Sequence, residues 1–273
     1  MRIALATMSG FAHLSEDDAP LVPAFALRGV RAEPAVWTEE SVVWSNYDAV
    51  VVRSTWDYHK VPERFAKWLD WVDASSLLIN SRELILWNMH KAYLGELADT
   101  GVNVVPTTLV RRGEFVNVYD IAESLDADEF VIKPAISASG HRTRVVTASS
   151  GAAAEIQSEF EALSASCDVL VQPFLREVFG AGERSLIFIN GVYSHAVIRA
   201  PLSSAGFGDT LVERPLLSSE REIDFALSAL EKLESLPIYA RVDVIPLEAG
   251  GLALLELELI EPSLFFAHRA HAL

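Results

Sequence analysis

Short apolar runs alternate with helix-period stripes through the first 80 residues. "RIALAT" (2 to 7), the β-branched "AVVVRST" (49 to 55) and "LLIN" (77 to 80) read as strands. "PLVPAFALRG" (20 to 29) has helical spacing and stops at a glycine. "PERFAKWLDWVDAS" (62 to 75) places Phe65, Trp68, Leu69 and Val72 on one stripe. Strands alternating with helices predict a small parallel α/β domain over residues 1 to 80.

The pattern then changes. Residues 81 to 100, "SRELILWNMHKAYLGELADT", read as one helix capped by a serine, anchored first by Leu84 and ended by Gly101. "VNVVPTTLV", "FVIKPA", "RTRVVTA" and "DVLVQPFL" read as strands, with a helix near 152 to 165. "SLIFINGVYSHAVIRA" reads as a hairpin, because Asn190-Gly191 suits the positive φ angles of a type I′ turn. A helix over 221 to 236 with Ile223, Ala226, Leu227, Leu230 and Leu233 inward follows the Gly-rich segment 203 to 209. "YARVDVI" and "LALLELELI" form a second hairpin around "EAGG", and "FFAHRAHAL" reads as a frayed or truncated end.

Composition narrows the function. The 22 basic against 38 acidic side chains leave a formal charge of −16, which argues against nucleic acid and against anionic membrane surfaces. Cys167 is the single cysteine, so an intrachain disulfide and a zinc–cysteine site are both excluded, and a reducing cytoplasm is the expected compartment. The amino-terminal apolar run resembles a weak signal peptide in outline, but its shortness favours a first strand. Open strand edges leave homodimerisation open without specifying it.

The last hairpin carries the densest chemistry. Symmetry about Ala249/Gly250 sets Asp243 opposite Glu256 and Arg241 opposite Glu258. Period-two alternation puts these four on one face and Val242, Val244, Leu255, Leu257 and Leu259 on the other. Three crowded carboxylates repel unless a cation or a protonation shift neutralises them, and hard oxygen donors suit Mg²⁺. The alternative is a solvated acidic face with a surface Arg241–Glu258 pair.

"FVIKPAISASG" (130 to 140) ends an apolar strand in Lys133, Pro134 and small residues. A lysine at that point reaches phosphate oxygens while loop N–H groups cover them, and Lys91 is a second candidate cation. Each lysine alone also reads as a surface residue. The joint order of Lys91, Lys133-Pro134 with its loop, "VQPFL", the hairpin with "GERSLIF" and "YSHAVIR", and "ARVDV" with "LLELELIEP" resembles the ATP-grasp ligases over about residues 80 to 265.

That resemblance implies an ATP-grasp fold: the small amino-terminal α/β domain (1 to 80), a central α+β subdomain with the phosphate loop (81 to 175), and a carboxyl-terminal α+β subdomain with the metal strands (176 to 273). It implies that Lys91 and Lys133 hold ATP phosphates and that Ser137, Ala138, Ser139 and Gly140 fold over them. Gln172, Pro173, Phe174 and Leu175 would border adenine, Glu183 or Glu177 would take the ribose, and Asp243, Glu256 and Glu258 would bind Mg²⁺. Arg199 would steady the transferred phosphate, unless it is an ordinary edge-strand cation. Arg241 would serve the substrate carboxylate or Glu258. The chain departs from the family in its single loop glycine, in Gln172 at a position more often acidic, and in Glu258 where Asn is common.

"RSTWDYH", "WNMHKAYL" and "LELIEPSLFF" further resemble the bacterial group that forms D-cycloserine from O-ureido-D-serine. The implied activity is carboxylate activation by ATP and ring closure on a small amino-acid-like substrate. The alternatives are ligation of another amino acid or peptide, a kinase that stops at the phosphorylated product, and a non-catalytic nucleotide-binding module. Arg53, Ser54 and Thr55 fall where open α/β sheets receive ligands, though an N-cap region with Trp56 and Tyr58 packed on the next helix explains them equally. His195 reads as a satisfied strand residue.

Overall fold

The computed structural model describes residues 1–138, 140–149, 151–201 and 211–271. Three four- or five-stranded sheets build the molecule. The first is parallel: β1 (Arg2–Thr7), β2 (Arg31–Val36), β3 (Ala49–Val52) and β4 (Leu77–Ile79), in the order β2-β1-β3-β4. β2 went unrecognised because "RAEPAV" carries Arg31, Glu33 and Pro34; an edge strand tolerates a proline that a central strand would not. α1 (Leu21–Ala26) and α2 (Pro62–Asp73) connect the strands, and α2 buries Phe65, Trp68, Leu69 and Val72 as its stripe requires. β3 ends at Val52, so Arg53, Ser54 and Thr55 leave the sheet at its carboxyl edge.

The expected helix over 81 to 100 is two helices. α3 (Arg82–Met89) starts with Ser81 Oγ accepting the Leu84 N–H at 3.3 Å, and α4 (Tyr93–Asp99) follows a break at residues 90–92. Lys91 sits in that break rather than on a helix, where its N–H donates to Ala135 O at 2.9 Å.

The second sheet joins β5 (Thr108–Val110), β6 (Glu129–Pro134), β7 (Arg144–Thr147) and β8 (Val169–Pro173) in the order β5-β8-β6-β7. α5 (Val118–Ser124) and α6 (Ala153–Ser164) cover it, and Val118, Phe130, Ile156, Phe160 and Val171 share its core. α7 (Glu177–Gly180) leads into the third sheet.

That sheet is antiparallel, β11-β10-β9-β12-β13, from β9 (Glu183–Ile189), β10 (Val192–Pro201), β11 (Leu211–Leu216), β12 (Tyr239–Pro246) and β13 (Leu252–Glu258). Asn190 (φ 51°) and Gly191 (φ 74°) make the β9–β10 turn as expected. The Gly-rich segment 203 to 209 lies outside the described residues. α8 (Glu220–Leu230) stops before the expected position 236 and buries Glu222, Ala226, Ala229 and Leu230; Ile223, Leu227 and Leu233 pack at the edge of that core. α4 and α8 pack on one face of the third sheet through Leu94, Leu97, Ala226, Leu230, Val242 and Leu257. The opposite face meets the first sheet through Ile187, Val197, Tyr239, Leu264 and Phe265, with Val51 and Ile79 against them. β12 is therefore covered on both sides, which buries its polar residues as well as its apolar ones. No helix among the described residues is long and apolar enough to cross a membrane.

Candidate active site

The register of the last hairpin is the expected one where the charges lie: Arg241 faces Glu258, Val242 faces Leu257 and Asp243 faces Glu256. A bulge then shifts the pairing so that Val244 faces Leu254. Leu255 is the extra residue; it leaves the Val242–Leu257 core for a cluster with Val105, Ile245 and Ala253, and Leu254 takes the place expected for it. On the other side of β12, Asp243 faces Ser185 of β9, which faces Val197 of β10. Ser185, Asp243 and Glu256 thus lie in one row across three strands, with Glu183 and Arg199 paired beside it.

Asp243 is fully buried and held from several directions. Ser185 Oγ donates to it at 2.6 Å, Arg199 Nη2 at 3.0 Å, and Arg241 at 2.8 and 2.9 Å from Nη2 and Nε. The guanidinium of Arg241 also bonds Glu258 and lies over the Phe265 ring, and Arg199 bonds Glu183. These cations hold the Asp243 carboxyl below the usual range despite its burial. Glu183 and Glu258 are pushed up to about 7, because burial and neighbouring acids outweigh their arginine partners.

Lys91 joins this row to the loop that follows β6. Its Nζ lies 2.8 Å from Glu256 Oε1 and donates to Ser137 O at 2.7 Å. Lys133, near the end of β6, feels the charges of Glu256, Lys91 and Glu183; burial draws its ammonium below the ordinary lysine range. The two lysines and the acids of the hairpin therefore lie in one cluster, from segments 42 to over 160 residues apart in the chain. Ser137 is buried with its hydroxyl on Pro134 O, Ala138 is half-buried and Gly140 turns at φ 67°; Ser139 lies outside the described residues.

The strand expected to border adenine is β8 with its extension. Gln172 is buried and donates to Thr107 Oγ1 at 2.8 Å, so its side chain points along the sheet. Pro173 lacks an N–H, and that of Phe174 donates to Glu129 O at 2.8 Å. Glu183 is committed to Arg199, while Glu177 accepts the Glu248 N–H at 3.2 Å. His195 is fully buried with Nε2 at 2.9 Å from Leu264 O, as its reading as a structural residue requires.

The set fits a magnesium-bound phosphate in its donor chemistry: hard carboxylate oxygens on one strand face, flanked by four cations. Among the described residues, no three acidic or imidazole groups already form a metal cage. Asp243 and Glu258 turn to Arg241, and Glu256 turns to Lys91.

Several residues had no legible signal. Asp18 is buried against Arg53 at 2.8 Å and Ser54 at 2.5 Å. Glu261 is buried just after β13, its carbonyl accepting the Trp56 indole N–H at 3.0 Å. Tyr58, by contrast, was expected against the next helix and packs there, its ring centroid 4.9 Å from that of Phe65. Ser185 holds Asp243. Ser185 follows two charged residues at the start of β9 and gave no cue of its own; for it and for the loop residues only the fold supplies the context.

Comparison with known proteins gives the family and the fold. The family described as "D-cycloserine synthetase DcsG, N-terminal domain" matches residues 3–80. The cycloserine biosynthesis protein DcsG of Streptomyces lavendulae is 32% identical over 280 residues, covering 96% of this chain and 92% of that protein. The chain belongs to the DcsG family of ATP-grasp ligases. The crystal structure of D-cycloserine synthetase DcsG superposes with a TM-score of 0.90 at 30% identity, covering 98% of this chain and 95% of the other. D-alanine–D-alanine ligase from Bacillus anthracis complexed with ATP shares the fold at a TM-score of 0.68, with 14% identity, 100% of this chain and 91% of the other covered. The ATP-grasp arrangement thus covers the first sheet as well as the two that hold the cleft.

Proposed function

We propose that this DcsG-family chain is an ATP- and Mg²⁺-dependent ligase that closes O-ureido-D-serine to D-cycloserine. The observation that carries the reading is the Lys91 bridge, which ties the phosphate loop at Ser137 to Glu256 on the acidic hairpin. Likeness to DcsG along nearly the whole chain supports the substrate. In this reading residues 1 to 80 face the substrate, 81 to 175 carry the phosphate loop, and 176 to 273 carry the metal strands.

A substrate carboxylate oxygen attacks the γ-phosphorus of ATP, giving an acyl phosphate and ADP. The oxygen-linked nitrogen of the same molecule then attacks the acyl carbon and displaces phosphate. D-Cycloserine lacks the carbamoyl group of the substrate, so that group leaves by hydrolysis. Lys91 and Lys133 hold the phosphates, and Arg199 and Arg241 meet the charge of the transferring group. Asp243, Glu256 and Glu258 would hold Mg²⁺, which supplies charge neutralisation at the phosphates. Ser137, Ala138, Ser139 and Gly140 cover the phosphates, the Leu175 N–H reads adenine, and Glu177 takes the ribose because Glu183 is occupied by Arg199.

The test is ADP release with O-ureido-D-serine, Mg²⁺ and ATP, with the product identified by mass spectrometry. D-Cycloserine in step with ADP is the expected result. ADP with an open phosphorylated product, or binding of nucleotide without turnover on any amino acid, contradicts the reading.

A further inference from the structure

Among the described residues, one buried acid of this cluster has no cation. Glu183 is paired with Arg199, Asp243 with Arg199 and Arg241, Glu256 with Lys91, and Glu258 with Arg241. Glu261 is 7% exposed and makes no ion pair among the described residues. We propose that Glu261 receives the α-ammonium group of the substrate and thereby selects amino acids; this rests on the ligase reading in taking the substrate to be an amino acid.

Glu261 is fixed at this place by its neighbours. Trp56 holds its carbonyl at 3.0 Å, and Arg53 Nη2 holds the next carbonyl, Pro262 O, at 2.8 Å. Its charge is felt by groups of the cleft: Glu258 repels it, and Lys91 and Arg241 attract it. The charge of Glu261 also acts on the buried Tyr58, as do those of Glu258 and Glu256. Glu261 therefore lies between the acidic hairpin and the loop 53 to 58 of the first sheet.

A carboxylate so enclosed demands a cation or a proton. Burial and Glu258 push its carboxyl up to about 8. Arg53 does not serve, being turned to Asp18 and Pro262 O. The same loop leaves Arg53 Nη1 and Thr55 Oγ1 buried without partners among the described residues. In an amino acid the ammonium and the carboxylate share one carbon. A carboxylate activated beside Glu256 and Glu258 consequently sets its ammonium one step away, and Glu261 follows Glu258 by three residues.

The experiment compares O-ureido-D-serine with 3-(ureidooxy)propanoate, its analogue without the amino group. Binding to the Mg²⁺-loaded protein with a non-hydrolysable ATP analogue is measured by calorimetry, for wild type and Glu261→Gln. Wild type should prefer the amino acid by about 100-fold, the scale of a buried charge pair, and Glu261→Gln should lose that preference. A wild-type protein that binds both equally overturns the proposal without need of any variant. So does a Glu261→Gln protein that keeps the preference, or that weakens both ligands by one factor. Failure of the cyclisation reading is separate: it shows as another amino acid, and not O-ureido-D-serine, driving ADP release while its binding still depends on Glu261.

Discussion

Lys91 and Lys133 reach the cleft by different means, and their substitution should differ accordingly. Lys91 is tied to Glu256 and to a loop carbonyl, whereas Lys133 feels the charges of Glu256 and Glu183 and has no ion pair among the described residues. Lys133→Ala should weaken ATP binding by about 10- to 100-fold, as expected for loss of one charge-assisted phosphate contact, and leave the melting temperature within a few degrees. Calorimetric titration with ATP checks this; unchanged affinity removes Lys133 from the phosphate site. At Glu261 the effect is on stability. Its carboxyl sits at about 8 in the folded chain against 4.5 ordinarily, so the folded state is favoured below pH 4.5 and loses that advantage as pH rises through about 8. Gln has no proton to lose. Glu261→Gln in the ligand-free protein should gain melting temperature relative to wild type from pH 5 to pH 8, by the equivalent of at most a few kcal/mol. A pH-independent difference contradicts the burial argument.

At the scale of elements, period-two alternation made the charged half of the last hairpin readable, because Arg241, Asp243, Glu256 and Glu258 lie on the turn-distal side of the bulge. The bulge itself left no trace: one more leucine in "LALLELE" is invisible until a partner strand counts it. The break between α3 and α4 was hidden for a related reason. "WNMHKAYL" has no proline or glycine before residue 95, and the interruption depends on a tertiary bond from Lys91 N–H to Ala135 O. The Asn190-Gly191 turn, by contrast, depends on local backbone preference and was legible. A Cβ at Gly191 would meet the Leu236 side chain at 2.9 Å on a backbone of positive φ. Gly191→Ala should therefore cost about 1 to 2 kcal/mol in urea unfolding while turnover at 25 °C is unchanged. Wild-type stability would show that the turn relaxes freely.

In the whole molecule, a few polar side chains far apart in sequence join the first sheet to the third. Asn80 donates to Tyr239 O at 2.9 Å and Leu259 O at 2.8 Å and accepts the Ile238 N–H at 2.6 Å. Asn88 brackets Leu257 and Leu259, and Tyr239 donates its hydroxyl at 2.7 Å to Ile260 O. These contacts set the strand exit that carries Glu258 and Glu261. Asn80→Ala should lose about 3 kcal/mol of stability and raise KM for the amino acid more than KM for ATP. An equal rise in both would mean that the joint does not position the substrate side. No sequence pattern marks Asn80 or Asn88, because each is defined by backbone groups 158 to 179 residues away.

The most direct measurement is ATP affinity by calorimetry, with Mg²⁺ and with EDTA, for wild type and for Glu256→Gln with Glu258→Gln. If the lysines and acids form one magnesium–nucleotide site, wild type binds ATP much more tightly with Mg²⁺, and the folded double variant binds at the EDTA level in either condition. A double variant that keeps the full response to Mg²⁺ contradicts that claim.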